Sequence, residues 1–145
     1  MFCRDSRRYQ RIAANIKRKY RGESRHAGPL TFREFVQHII DRRTRQPLDR
    51  HWRPVYQLCQ PCRVRYDFIG HYETLAEDSR YVLSRLGIHD VQFPHPTATH
   101  NSSDRMTEMF AQLTKREIRR LLEVYHLDFV LFGYAANVSQ YRIRQ

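Results

Sequence analysis

One segment of this sequence is written as a β-strand, and a strand cannot stand alone. Val64, Tyr66 and Phe68 alternate with Arg63, Arg65 and Asp67, the two-residue period of an extended chain with one apolar face, and Gly70 closes the run. The rest of the sequence spells four or five helices. A lone strand would leave its backbone donors and acceptors without partners, so its sheet must be completed by other polypeptide. The expected fold class is therefore α/β, with this chain as the C-terminal part of a larger domain. The portion present is mostly helical, with one clear strand.

The helices follow from apolar spacing and from their start signals. Residues 7 to 20 place Tyr9, Ile12, Ala13, Ile16 and Tyr20 on one face of a basic amphipathic helix, and Gly22, Ser24, Gly28 and Pro29 break it as a loop. Thr31 and Glu34 spell a capping box ahead of Phe32, Phe35, Val36, Ile39 and Ile40, the stripe of a core-facing helix. A second box is expected at Thr74 and Glu77, before Leu75, Val82, Leu83 and Leu86, with Gly87 placed for a left-handed cap. Residues 89 to 104, with Pro94 and Pro96, read as an exposed loop. Met106, Met109, Phe110 and Leu113 share the face of a further helix. Thr114 and Glu117 cap the next, through Ile118, Leu121, Leu122 and Tyr125, and a short apolar stretch from Asp128 to Tyr134 follows.

Composition narrows the partners. In 145 residues, 26 Lys+Arg stand against 15 Asp+Glu, a formal charge of +11. The excess is lopsided: residues 1 to 50 hold 14 basic and 5 acidic groups, a net of +9, whereas residues 51 to 145 hold 12 and 10, a net of +2. Only Lys17, Lys19 and Lys115 are lysines. The remaining cations are arginines, whose planar fork grips phosphate, sulfate and carboxylate in pairs of hydrogen bonds. Nucleic acid, an acidic polysaccharide or a phosphorylated ligand are the candidate polyanions, against a solvated basic helix. No run of about 18 apolar residues is present to span a bilayer, and Arg4-Asp5-Ser6-Arg7-Arg8 interrupts any secretory signal.

Cys59-Gln60-Pro61-Cys62 is a candidate redox pair, half of a zinc site, or structural disulfide chemistry. A redox pair opens a helix, whereas here a strand pattern follows. His51 and His71 flank the cysteines too distantly for a compact zinc site, so no metal is expected and disulfide chemistry at Cys59 and Cys62 leads. Cys3 is left over. Sequons at Asn101-Ser102-Ser103 and Asn137-Val138-Ser139 make Asn101 and Asn137 candidate glycosylation sites. Sequons and cysteines together point to a lumenal compartment and away from nucleic acid. No glycine-rich phosphate loop can be read.

His51-Trp52-Arg53-Pro54, Leu58-Cys59-Gln60-Pro61-Cys62, Tyr66-Asp67-Phe68-Ile69-Gly70 and Tyr72-Glu73-Thr74-Leu75 with Glu77-Asp78 form a specific motif string. Phe32-Arg33-Glu34-Phe35-Val36 with Ile40-Asp41 precedes it, and Val124-Tyr125-His126-Leu127-Asp128-Phe129 with Phe132-Gly133-Tyr134 follows. In this order, from about Tyr9 to Tyr134, the chain resembles the Golgi carbohydrate sulfotransferases, which include the chondroitin and dermatan 4-O-sulfotransferases and the HNK-1 sulfotransferase.

The resemblance implies a P-loop-like α/β sulfotransferase domain, with residues 1–145 as its C-terminal part. It implies a Golgi membrane location on the lumenal side, with 3'-phosphoadenosine 5'-phosphosulfate (PAPS) as sulfuryl donor and an anionic glycan as acceptor, N-acetylgalactosamine of chondroitin or dermatan or a similar sugar. The family's two donor loops lie upstream of the matched region. Arg4-Asp5-Ser6 is similar to the opening of the 3'-phosphate loop, but the serine expected eight residues after Arg4 falls on Ile12, and the 5'-phosphosulfate loop has no counterpart. Impaired transfer is therefore expected of this chain alone, and a non-catalytic basic module for an acidic polysaccharide is the alternative. His51 and Arg53 are the candidate substrate contacts, His51 also as an acid/base group, with a structural hydrogen bond beside Trp52 as its competing role. Arg63 and Arg65 are further candidates for an anionic glycan, or the solvated face of the strand.

Overall fold

The structure is a computed structural model and describes residues 7–21, 28–41, 43, 48–94 and 102–135. Among the described residues the chain forms seven helices: α1 (Arg7–Arg21), α2 (Phe32–Ile40), α3 (Val55–Cys59), α4 (Leu75–Arg85), α5 (Ser102–Phe110), α6 (Lys115–Val124) and α7 (His126–Leu131). Cys3, Asn101, Asn137 and the Arg4-Asp5-Ser6 triplet lie outside the described residues.

The core is the meeting of α2 with α6, closed on one side by α1. Val36, Ile40, Leu113 and Ile118 are buried against one another, with Phe32, Phe110, Leu121, Leu122 and Val124 packed around them. Phe32 and Phe110 bring their rings to 5.6 Å. Ala13 and Ile16 are the buried positions of α1, the centre of the stripe its spacing spells. Polar contacts then lock α1 to α2: Tyr20 Oη donates to the Gln37 carbonyl at 3.1 Å and to Asp41 at 3.1 Å, and Lys19 pairs with Asp41 at 2.7 Å. Arg21 pairs with Glu34 and donates to the Pro29 carbonyl at 2.7 Å.

Two of the three expected capping boxes form. Thr31 and Thr114 adopt extended N-cap conformations (ψ 154° and 157°), their hydroxyls accept from the Glu34 and Glu117 N–H, and each glutamate reaches back to the cap N–H. The third does not. At Thr74 the backbone (φ −109°, ψ 17°) is not extended, which denies its hydroxyl the reach to the N–H three residues on, so Glu77 caps nothing. The Thr74 hydroxyl instead donates to Asp78 at 2.7 Å. Gly87 takes the expected left-handed conformation, φ +71°, where a Cβ would be strained.

The expected strand is corrected. Residues 65–70 run without regular structure, and among the described residues their backbone groups pair with no other segment. Val64, Tyr66 and Phe68 are 48%, 45% and 40% exposed, so the alternating pattern has neither a neighbouring strand nor a core to face. A ladder needs two strands, and the described residues supply one candidate. Among the described residues the regular elements are accordingly all helices. At the other end of the chain, the apolar stretch after Asp128 is largely the short helix α7.

Candidate functional site

The turn that carries His51 is pinned from four directions. Trp52 N–H donates to the Asp49 carbonyl at 3.0 Å and Arg53 Nε to the Leu48 carbonyl at 2.9 Å. Tyr125 Oη donates to the Trp52 carbonyl at 2.6 Å, and the Trp52 ring stands edge-on to Phe35 of α2 with centroids 5.2 Å apart. Burial, and then the Asp128 charge, push the Tyr125 pKa up to about 12, so this hydroxyl stays a donor across physiological pH. The Trp52 Nε1–H is buried without an acceptor among the described residues.

Asp49 and His51 form a dyad on this turn. The Asp49 carboxylate accepts from the His51 N–H at 3.1 Å and contacts His51 Nδ1 at 2.6 Å. A carboxylate only accepts, so Nδ1 carries the proton and Nε2 is left with its lone pair, an assignment made from the hydrogen bond. The His51 side chain is 55% exposed, the Asp49 side chain 11%. The arrangement is that of an exposed imidazole held by a half-buried carboxylate, which suits a base.

Arg53, the other expected substrate contact, is half-buried and spends Nε on the turn itself. Arg63 and Arg65 are exposed, in the irregular segment rather than on a strand face. Cys59 ends α3 and Cys62 lies in the turn beyond Gln60, whose φ of +48° reverses the chain. Both thiols are free and exposed, so the disulfide chemistry expected of Cys59 and Cys62 is not formed in this structure. Bonding needs two sulfurs about 2 Å apart on facing Cβ vectors, and here a left-handed residue separates a helix end from a turn. No group of three or more potential metal ligands is gathered among the described residues.

Two residues outside the expected set prove central. Asp128 of α7 accepts from both the Val55 N–H (2.7 Å) and the Tyr56 N–H (2.8 Å), capping α3 where Pro54 has no side chain to do so. Asp49 completes the dyad. The signal for Asp49 was its place two residues before His51, where an Asp folds back onto the N–H of residue i+2. No local signal existed for Asp128, since its partners lie some seventy residues earlier.

A second braced cluster joins the later motifs. Asp78 accepts from the His71 N–H at 2.8 Å as well as from Thr74, and these two bonds lower its pKa. The His71 ring contacts the Phe132 carbonyl through Nε2 at 2.7 Å and lies edge-on to Tyr134, which donates to Glu73 at 3.3 Å. Space at Gly70 is tight: a Cβ there would sit 3.1 Å from Asp78 Oδ2 and 3.2 Å from the Phe68 ring, so those side chains would have to give by a few tenths of an ångström. His71 thus serves as a structural clasp between residues 70–78 and the end of α7.

Residues 2–135 match the profile of the Sulfotransferase family. The chain belongs to that family. It is 37% identical over 136 residues to carbohydrate sulfotransferase 11 of Mus musculus, covering 88% of this chain and 39% of that protein. Against carbohydrate sulfotransferase 10 of Xenopus laevis the identity is 40% over 133 residues, covering 85% and 38%. Carbohydrate sulfotransferase 9 of Homo sapiens is 34% identical over 111 residues, covering 72% and 25%. The chain therefore spans less than two fifths of the length of these curated relatives. No solved structure matches. Every motif that carries the family likeness from Trp52 onward falls in one of the two braced clusters or in the turns joining them.

Proposed function

We propose that this chain is the acceptor side of a carbohydrate O-sulfotransferase, with His51 as the base that takes the proton of the sugar hydroxyl. The Asp49–His51 contact of 2.6 Å carries the reading. PAPS supplies an electrophilic sulfur: the sugar oxygen bonds to it, its bond to the phosphate oxygen breaks, and 3'-phosphoadenosine 5'-phosphate departs with the electron pair. The hydroxyl proton passes to His51 Nε2, and Asp49 stabilises the imidazolium so formed. Tyr125, Asp128 and Phe35 hold the turn in place, which is what positioning requires of the surrounding shell.

The chain also lacks a glycine-bearing basic loop for the donor phosphates, so slow transfer by these 145 residues alone belongs to the same reading. A carbohydrate acceptor is supported by the relatives' names, and an anionic one such as chondroitin or dermatan, modified at N-acetylgalactosamine, by the arginine excess and the family resemblance. Placement at the lumenal side of the Golgi membrane is supported by the family resemblance and by the sequons at Asn101 and Asn137. Among the described residues no helix is long and apolar enough to cross a membrane. Expression in secretory cells should give a glycosidase-sensitive mass shift that Asn101→Gln with Asn137→Gln abolishes.

A PAPS-dependent assay on chondroitin tests the chemistry, with the upstream sequence of a relative fused in front to supply the donor loops. His51→Ala should lower kcat by about 10²- to 10⁴-fold with little change in KM. Asp49→Asn should lower it less, through loss of the imidazolium's counter-charge. Unchanged turnover in His51→Ala would assign the base elsewhere.

A further inference from the structure

The C-terminal ends of α1 and α2 meet one flank of α6 in an open groove of about 450 Å³. Its lining includes three arginines, Arg43, Arg116 and Arg120, and two carboxylates, Asp41 and Glu117. The carboxylates are already engaged. Asp41 is bonded to Lys19 at 2.7 Å, to Arg43 at 3.2 Å and to Tyr20, and its pKa lies well below the ordinary range because of those cations. Glu117 accepts from Arg33 at 3.0 Å and from Gln37 at 2.9 Å besides closing its capping box.

Three cations thus answer two carboxylates before Arg116 and Arg120 are counted. Neither of these two has a hydrogen-bond or ion-pair partner among the described residues. They stand one turn apart on α6, a like-charge pair whose repulsion a bound anion would relieve. The neighbouring Lys115 and Arg119 are exposed but do not line the groove, so concavity, and not basic composition alone, singles out Arg116 and Arg120. Paired guanidinium forks suit carboxylate and sulfate. Tyr20, which also lines the groove, lies about 20 Å along α1 from Arg7. His51 does not line the groove.

We infer that this groove binds a carboxylate- or sulfate-bearing sugar of an acidic polysaccharide, gripped by Arg116 and Arg120, at a distance along the polymer from the sugar being modified. The inference rests on the anionic acceptor proposed above and adds where a second unit of that polymer is held.

Calorimetric titration of the full chain tests it with three probes: a chondroitin sulfate octasaccharide, an uncharged N-acetylglucosamine oligomer of equal length, and 3'-phosphoadenosine 5'-phosphate. The wild type should bind the sulfated probe in preference to the neutral one, with an affinity that falls as salt rises. Arg116→Ala with Arg120→Ala should weaken that affinity at least about tenfold and flatten its salt dependence, leaving thermal melting and nucleotide binding unchanged. Lys115→Ala with Arg119→Ala should change it less than about twofold. Equal losses from both pairs would make the effect a general basic face and overturn the proposal. So would an unaltered affinity in the Arg116/Arg120 variant, no binding by the wild type, or a parallel loss of nucleotide binding. A chain that grips the octasaccharide through these arginines yet transfers no sulfuryl group, even with donor loops restored, refutes the enzymatic reading and leaves the groove standing.

Discussion

The unit of α1, α2 and α6 and the segment from Val55 to Pro94 have similar apolar patterning and opposite fates. The first contains every buried apolar residue of the core except Leu113, which leads into α6. The second has no buried residue at all, and it presents Val64, Phe68, Ile69, Tyr81 and Leu86 at 40% exposure or more. What separates them is partnership: two capped helices bring complementary stripes together, whereas the later segment is held by polar clasps, Asp78 on His71 and Thr74, His71 on the Phe132 carbonyl, and Asp128 on the start of α3. Its large apolar side chains are left exposed rather than packed into a core. The helical unit supplies the buried core and borders the basic groove, while the later segment leaves its apolar side chains exposed, with the Asp49–His51 dyad just ahead of it.

The sharpest way to break this comparison is to truncate one large apolar side chain on each side. Ile118→Ala should cost about 2–5 kcal/mol in urea unfolding, because Ile118 is 1% exposed in the core, while Phe68→Ala, at 40% exposure, should cost under about 1 kcal/mol. Equal costs would mean that the later segment is as well packed as the core.

Next in size is acid. Glu34 is held at about 2, against an ordinary 4.5, chiefly by its hydrogen bond to Arg21, so its contribution is fully present above pH 4.5 and is lost as pH falls toward 2. Asp41, lowered chiefly by Lys19, acts in the same direction, and so does His38, whose pKa is lowered by burial and then by Lys19. Helicity followed by circular dichroism should therefore fall on acidification across this window, with Arg21→Met narrowing it.

Two identical spellings give a finer contrast. Glu117→Ala removes a working capping box together with the acceptor for Arg33 and Gln37, for about 1–2 kcal/mol. Glu77→Ala, at the same place in a second Thr-x-x-Glu, should stay within about 0.5 kcal/mol, because no box forms there. Smallest in global terms is Asp128→Ala. It should cost about 1 kcal/mol, read as lost hydrogen-exchange protection at the Val55 and Tyr56 amides with little change in Tm.

Much of the helical unit was legible because its determinants are local. The Thr31 and Thr114 boxes, the stripe of Val36 and Ile40, and the left-handed Gly87 each depend on residues within a turn or two of one another. Of the site, His51 and Arg53 were legible as candidates, and the structure adds that a carbonyl only five residues away engages the Arg53 Nε. The Val64–Phe68 alternation shows the limit from the other side. Periodicity states which face is apolar, and whether that face becomes a strand depends on a partner the segment itself does not encode.

By itself, then, the amino-acid sequence determined where α2 and α6 start, which stripe α1, α2 and α6 bury, where positive charge accumulates and which family the motifs resemble, all of them properties set by neighbours along the chain. Only the tertiary structure decided that Asp128 caps α3, that Tyr125 steadies the turn of His51, that His71 is a clasp, and that Arg116 and Arg120 border a groove with Tyr20. Those pairings join residues tens of positions apart, and hydrogen bonds and charge contacts act through space within a few ångströms, where separation in sequence carries no information.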